Sequence, residues 1–372
     1  MTDHEAYIAL NLTQGIGPAR ASLLVQAFGS ASAIYSHTAD EIAAVHGISS
    51  ALAENILANA GAPLQRELEL IDRAGVQVLT LDDYAYPASL REIEDPPICL
   101  YVCGTLPEEL GGNSVAVVGS RRATVYGMRM AQHLAESAAC SGWVVVSGLA
   151  AGIDTAAHKG TVGVNGKTVA VLGGGLMKIQ PQENVELARS ILDKNGAIIS
   201  EHPMLFPPTR HSFPMRNRII SALSIAPIVV EAGSRSGALI TAATATEQGK
   251  QVFAVPGNVD NEMSIGCNEL IKTGGAALLT SFEDVLSSTD FLPGFSLKEE
   301  TVPLQREEFD DDSVLNESDR KILDYLRKGD AQFDSISANT GISAGELSRK
   351  LVALEISHRI ERQANGSYRR LR

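Results

Sequence analysis

Residues 114–147 read SVAVVGSRRATVYGMRMAQHLAESAACSGWVVVS. An apolar run over Ser114–Gly119 leads into a turn of small and basic residues. A helix-length segment over Tyr126–Cys140 and a second apolar run over Trp143–Ser147 follow. Strands that are apolar at nearly every position are buried on both faces, and an intervening helix lets two of them run parallel. The unit recurs downstream, where Thr168–Leu172, Ala197–Ser200, Ile225–Glu231 and Gln251–Val255 alternate with segments such as Gln182–Lys194 and Ser236–Gln248. The pattern predicts a doubly wound α/β domain with a mostly parallel sheet. Two earlier runs, Val76–Leu81 and Ile98–Val102, extend that sheet.

The flanks differ. Gln14-Gly15-Ile16-Gly17-Pro18 and Val45-His46-Gly47-Ile48-Ser49 each precede a short apolar-periodic run, as in a helix-hairpin-helix. Two readings stand for this segment: a bundle that packs on its neighbour or contacts protein, and a phosphate-binding module. Beyond Ser288 come Pro293, Gly294, Pro303 and an acidic run from Glu307 to Asp312, the composition of a spacer. A helix capped by Ser318, segments at Phe333–Thr340 and Ser343–Leu354, and two β-like runs around Asn365-Gly366 then describe a winged helix. The expected organisation is a small helical domain at 1–65, the α/β domain at 66–287, an acidic linker at 288–313 and a winged helix at 314–372. A chain of 372 residues accommodates this, at roughly 150 residues per domain.

The net charge of −13 argues against nucleic acid only if it is evenly spread, and it is not. Met1–Asn113 holds 4 basic and 15 acidic residues, and 251–313 holds 3 and 13. Ser114–Lys250 holds 13 basic and 8 acidic, and 314–372 holds 11 and 8. No acid occurs between Glu201 and Glu231, a window that contains Arg210, His211, Arg216 and Arg218. A local anion-attracting surface is compatible with an acidic average. No run is long and apolar enough to span a membrane, and no basic leader precedes the first helix, so a cytoplasmic protein is expected. Cys99, Cys103, Cys140 and Cys267 form no CxxC pair, so neither a disulfide framework nor a metal site is expected.

Three catalytic signatures fail on spacing. The turn after Val118 has no Gly between Gly119 and Gly127, which removes the dinucleotide fingerprint. Gly160–Thr168 resembles a P-loop but places five residues between Gly160 and Gly166 and precedes a strand. Ser147-Gly148 lacks the Gly two residues before the serine that a nucleophile elbow needs. No cofactor, no metal and no catalytic residue is expected. What remains are loops after successive strands: Gly119-Ser120-Arg121-Arg122, Ser147-Gly148, Gly173-Gly174-Gly175 and Gly233–Gly237. Small residues let a phosphate backbone approach, and arginine supplies a fork matched to phosphate. In Arg210–Arg218, Phe213 either stacks a base between cations or belongs to the core, with Arg216 or Arg218 paired to Glu201 or Glu231. Asp154 and His158, four apart on one helix, read as an intrahelical or capping pair rather than as catalysts.

In this order the motifs resemble the DprA (DNA-processing protein A) family. They are YPASLREIEDPPICLYVCG from Tyr86, VAVVGSRRATVYG from Val115, VVSGLAAGIDTAAHKG from Val145, TVAVLGGGL from Thr168, FPMRNRIISALS from Phe213, VVEAGSRSGALITAATATEQGK from Val229 and SIGCNELIKTGG from Ser264. The resemblance implies an extended Rossmann-like domain, here flanked by the helical (SAM-like) and winged-helix domains. It implies sequence-independent binding of single-stranded DNA, dimerisation, protection of incoming DNA in natural transformation, and loading of RecA recombinase. It makes Arg121 the principal phosphate contact beside Gly119, Ser120 and Arg122. Arg210 and Phe213 correspond to the family's basic and aromatic positions, with Arg216, Asn217 and Arg218 as weaker candidates. Met177 and Gln180 stand where members carry Asp and Tyr after the glycine turn, and Lys178 supplies a charge there. On the winged helix, Arg349, Lys350, Arg362 and Arg369 are candidates for duplex DNA. The alternative is a phosphoribohydrolase-like enzyme on a related fold, which needs a catalytic acid where this chain has Leu239 and Ile240.

Overall fold

A nine-stranded sheet in the order β1-β2-β6-β5-β4-β3-β7-β8-β9 organises the first part of the chain. The computed structural model describes residues 1–289, 317–327, 329–356, 359–363 and 367–370. The chain divides into two units, Met1–Pro293 and Gly294–Arg372. The linker expected at 288–313 lies outside the described residues from 290 onward.

Six short helices come first: α1 (Asp3–Leu12), α2 (Pro18–Phe28), α3 (Ala31–Ile34), α4 (Ala39–Ala43), α5 (Ser50–Asn59) and α6 (Ala62–Ala74). Their starts are written locally. Thr2 with Glu5, and Thr38 with Glu41, form reciprocal capping boxes, and Pro18 opens α2 behind Gly17. The helices share a core with one face of the sheet, in which Ile8, Leu10, Leu24, Ile34 and Ile56 are fully buried. They are also pinned by polar contacts. Asn11 donates to the Glu201 carbonyl at 3.0 Å, and the Glu67 carboxylate accepts the Met204 N–H at 2.7 Å.

Then follow β1 (Gln77–Thr80), α7 (Ala88–Arg91), β2 (Cys99–Gly104), β3 (Ser114–Val118), α8 (Val125–Cys140), β4 (Val144–Ser147), α9 (Ile153–Gly163) and β5 (Thr168–Val171). After these come α10 (Val185–Asp193), β6 (Ala197–Ser200), α11 (Ser212–Ala222), β7 (Ala226–Val229), α12 (Gly237–Glu247), β8 (Phe253–Ala254), α13 (Ile265–Lys272), β9 (Ala277–Leu278) and α14 (Glu283–Thr289). From β6 to β9 every pairing is parallel, while β1 and β2 add antiparallel strands at one edge. Val115, Ala116, Val117, Val145, Val146 and Val169 are fully buried. Each buried valine contributes about 1.5–3 kcal/mol relative to exposure. Two elements exceed the sequence expectation. The arginine-rich window folds as helix α11, and β9 extends the sheet beyond β8.

The second unit holds α15 (Glu317–Leu326), β10 (Ala331–Gln332), α16 (Phe333–Thr340), α17 (Ala344–Ile356), β11 (Ile360–Arg362) and β12 (Ser367–Arg370), with strand order β10-β12-β11. Ile322, Ile336, Leu347 and Leu351 form its core. The Asn365-Gly366 turn falls outside the described residues, and β10 is a strand the sequence pattern does not reveal.

Candidate nucleic-acid interface

Strand β3 pairs with β4 on one side and β7 on the other. The chain winds outward from β3 through β4 and β5 to β6, then returns to β7 and continues to β8 and β9. Loops leaving β3 and β7 therefore diverge, and such a switch point opens a crevice at the carboxyl ends of the strands. A cleft of about 640 Å³ lies there, walled by Gly119–Arg122 after β3, Gly233–Gly237 after β7, and Phe213 and Asn217 from α11.

Arg121 and Arg122 are exposed, and the Arg121 guanidinium lies 4.4 Å from the centre of the half-buried Phe213 ring. Stacking a guanidinium on a ring contributes about 0.5–1 kcal/mol at an exposed site and holds it ready for a further planar group. The loop beneath is fixed. Ser120 N–H donates to the Glu231 carbonyl at 2.7 Å, and its hydroxyl donates to Met263 sulfur at 3.4 Å. The buried Glu231 carboxylate accepts from Thr124 N–H and hydroxyl at 2.8 and 2.6 Å, fixing the residue that caps α8. Across the cleft, Ser236 caps α12, whose first turn and exposed Arg235 face the same space. Helix starts favour anions because their N–H groups lack intrahelical partners.

Gly-Ser-Arg thus occurs twice, at 119–121 and 233–235, and the switch point brings both copies to one cleft. Sequence alone marks Gly233–Gly237 as a glycine- and arginine-bearing loop, although Arg235 is not among the expected DNA contacts. The repeated tripeptide was the available signal.

Other candidates have structural duties. Arg216 lines the cleft floor yet is only 4% exposed, and its guanidinium donates to the Gly148 carbonyl at 2.7 Å and to the Val171 carbonyl. Burial pulls its pKa down to about 10, so it stays charged at neutral pH. A Cβ on Gly148 would lie 2.2 Å from that guanidinium, so Gly148 is glycine to admit Arg216 rather than DNA. Ser147 is fully buried and donates to the Val117 carbonyl at 2.6 Å, which corrects its expected exposure to DNA. Likewise Gly173, Gly174 and Gly175 pack beneath Phe213, Pro208 and the Pro203–Met204 backbone, so this turn is roofed by protein.

Arg218 does not line the cleft. It is 7% exposed and pairs with Glu201 at 2.6 Å and Asp95 at 2.8 Å, the ion-pair reading of the sequence. Lys178 and Arg210 are exposed outside the cleft lining.

Asp154 and His158 both lie on α9 but do not pair. Asp154 accepts the Gly148 and Ala150 N–H groups at 3.1 and 3.4 Å, and its pKa is raised by burial. His158 Nδ1 lies 2.8 Å from Thr168 Oγ1, and burial lowers its pKa from 6.5 to about 3. Between those values the unfolded chain binds a proton that the folded chain refuses. The contribution of His158 is therefore complete above pH 6.5 and is lost as pH falls toward 3. Urea midpoints are expected to drop across that interval by an amount worth a few kcal/mol, at about 1.4 kcal/mol per pKa unit. His158→Gln is expected to have a flatter profile, and equal slopes would contradict this account.

In the winged unit Lys350 pairs with Asp319 at 3.1 Å and Arg369 with Asp330 at 2.7 Å, while Arg349 is exposed on α17. Arg362 belongs to β11, and its side chain lies outside the described residues.

The sequence profile of DNA recombination-mediator protein A matches residues 77–290. The chain belongs to this family. A SAM-like helix-hairpin-helix tandem matches residues 10–61, and the DprA winged helix domain matches 310–366. Protein Smf of Escherichia coli is 43% identical over 228 residues, which cover 61% of this chain and 60% of that protein. The match to this relative thus spans less than two thirds of its length. Protein Smf of Synechocystis is 33% identical over 98% of both chains. The X-ray structure of DprA from Streptococcus pneumoniae superposes with a TM-score of 0.66 at 33% identity, covering 77% of this chain and 98% of that one. A Helicobacter pylori DprA structure, described as showing a unique single-stranded DNA binding mode, has a TM-score of 0.50 at 31% identity and covers 57% of this chain and 95% of that one. Among the described residues no helix is long and apolar enough to cross a membrane, and no acid, His and Cys cluster could hold a metal.

Proposed function

We propose that this chain binds single-stranded DNA without sequence preference in the β3/β7 cleft, and that it acts as a recombination mediator that protects incoming strands and loads RecA, working as a homodimer. The observation that carries this reading is the stack of Arg121 on Phe213 in a cleft that also presents Arg122 and Arg235. Cations hold phosphates, and an aromatic face accepts any base, so affinity needs no base-edge code. Membership of the family and the DNA-binding description of the Helicobacter pylori relative support it. The winged helix is a second, duplex-binding module in this proposal, with the exposed Arg349 of α17 among its contacts.

Fluorescence anisotropy of a labelled oligothymidine tests the reading. With three exposed arginines on phosphates, log affinity is expected to fall with log salt at a slope of about −2, at roughly 0.7 per phosphate on single strands. A salt-independent signal, or none, would refute the cleft as a phosphate site. The nucleotide-cleaving alternative requires an acid where α12 carries Leu239 and Ile240. The same preparation is expected to release no free base from nucleoside monophosphates.

A further inference from the structure

We propose that a second hollow, between Tyr126 and the turn at 256–261, is a nucleobase subsite for the strand that leaves the cleft. It measures about 300 Å³ and is lined by Tyr126, Pro256, Gly257, Asn258 and Asn261. The inference deepens the single-strand reading above and rests on it.

Continuity with the cleft comes first. Asn261 lines the hollow, while the next two residues, Glu262 and Met263, line the cleft. Tyr126 stands in the first turn of α8, four residues beyond Arg122. A strand whose phosphates rest on Arg121 and Arg122 therefore has the hollow as its neighbour.

Preformation comes second. The Tyr126 hydroxyl donates to the Pro256 carbonyl at 2.9 Å, which holds the ring in place before any ligand arrives. Gly257 N–H donates to Asn268 Oδ1 at 3.1 Å, and Asn268 Nδ2 donates back to the Gly257 carbonyl at 2.9 Å. The opposite wall is thus equally fixed, and a ligand meets little ordering cost.

Chemistry comes third. No lysine or arginine lines the hollow, so it is no phosphate site. It offers an aromatic ring and two carboxamides, the groups that stack a base and bond its edge. Asn261 Oδ1 already accepts the Met263 N–H at 3.0 Å, which directs its amide nitrogen to other acceptors. Val259, in the turn at 256–261, is 93% exposed.

The test measures oligothymidines of graded length against the full chain and its Tyr126→Ala, Asn258→Ala and Arg121→Ala variants. Tyr126→Ala is expected to weaken the longer oligomers roughly tenfold, the scale of one lost stacking contact, and to leave the shortest binding oligomer unaffected. Asn258→Ala, an exposed position, is expected to act in the same direction with less effect, and it keeps the test valid should Tyr126→Ala disturb the turn. Arg121→Ala is expected to weaken every length. If Arg121→Ala does so while both hollow variants match wild type at every length, this inference fails and the cleft reading survives. The inference also fails if the hollow variants weaken all lengths equally. If Arg121→Ala changes nothing, the cleft reading itself is lost.

Discussion

Arg218→Ala is expected to destabilise the first unit by about 3–5 kcal/mol, the cost of removing one partner of a buried ion pair. Arg218 and Glu201 side chains are 8% and 11% exposed, and their contact at 2.6 Å is supported by a second bond at 3.1 Å. Without the guanidinium, the Glu201 carboxylate is left desolvated at the end of β6. Urea denaturation with circular dichroism measures the loss. Adding Glu201→Gln to an Arg218→Met chain is expected to recover most of it, because the desolvated charge is then gone. Glu201, which Arg218 holds, also accepts Asn11 from the helical domain at its carbonyl, and α11 carries both Arg218 and Phe213. A change confined to single-strand affinity, with stability intact, would overturn this assignment and return Arg218 to the DNA surface.

Arg121→Ala is expected to do the reverse. Single-strand affinity falls on the order of 100-fold, combining a charge-assisted phosphate bond of about 1.5–3 kcal/mol with the stack on Phe213. The salt slope loses about 0.7, the contribution of one phosphate. Stability stays within about 0.5 kcal/mol of wild type, since the side chain is exposed and its partner ring remains packed over Gly173. Arg121→Lys is expected to recover the slope but only part of the affinity, because an ammonium keeps the charge and loses the planar stack. Anisotropy across salt separates the two. Wild-type affinity in Arg121→Ala would place the phosphate path elsewhere.

These opposite expectations concern one arginine of the acid-free window and one of the loop after β3, and their difference was only partly legible. The window marks itself by charge, and the ion-pair reading of Arg218 was available from Glu201 upstream. That the window is a helix, with Arg216 under the cleft floor and Arg218 clamped at β6, depends on what each face meets. The glycine loops teach the same lesson. A glycine that admits a phosphate and a glycine that admits Arg216 are one letter in the sequence, and only the neighbouring atoms distinguish Gly148 from Gly237. Nothing lies within 4 Å of a Cβ built at Gly237.

Properties set by neighbours along the chain were determined by the sequence alone. Apolar runs became strands, Thr2-Glu5 and Thr38-Glu41 began helices, and the charge segregation marked the central domain as the place for an anion. Those outcomes follow from local sterics, capping and burial. Strand order is different, because it is the packing of the whole sheet that seats β7 against β3 rather than beside β6. That one long-range choice places the crevice between two Gly-Ser-Arg loops separated by more than a hundred residues. It brings Arg235 in, leaves Ser147 and Gly173–Gly175 beneath protein, and turns a list of loops into one site.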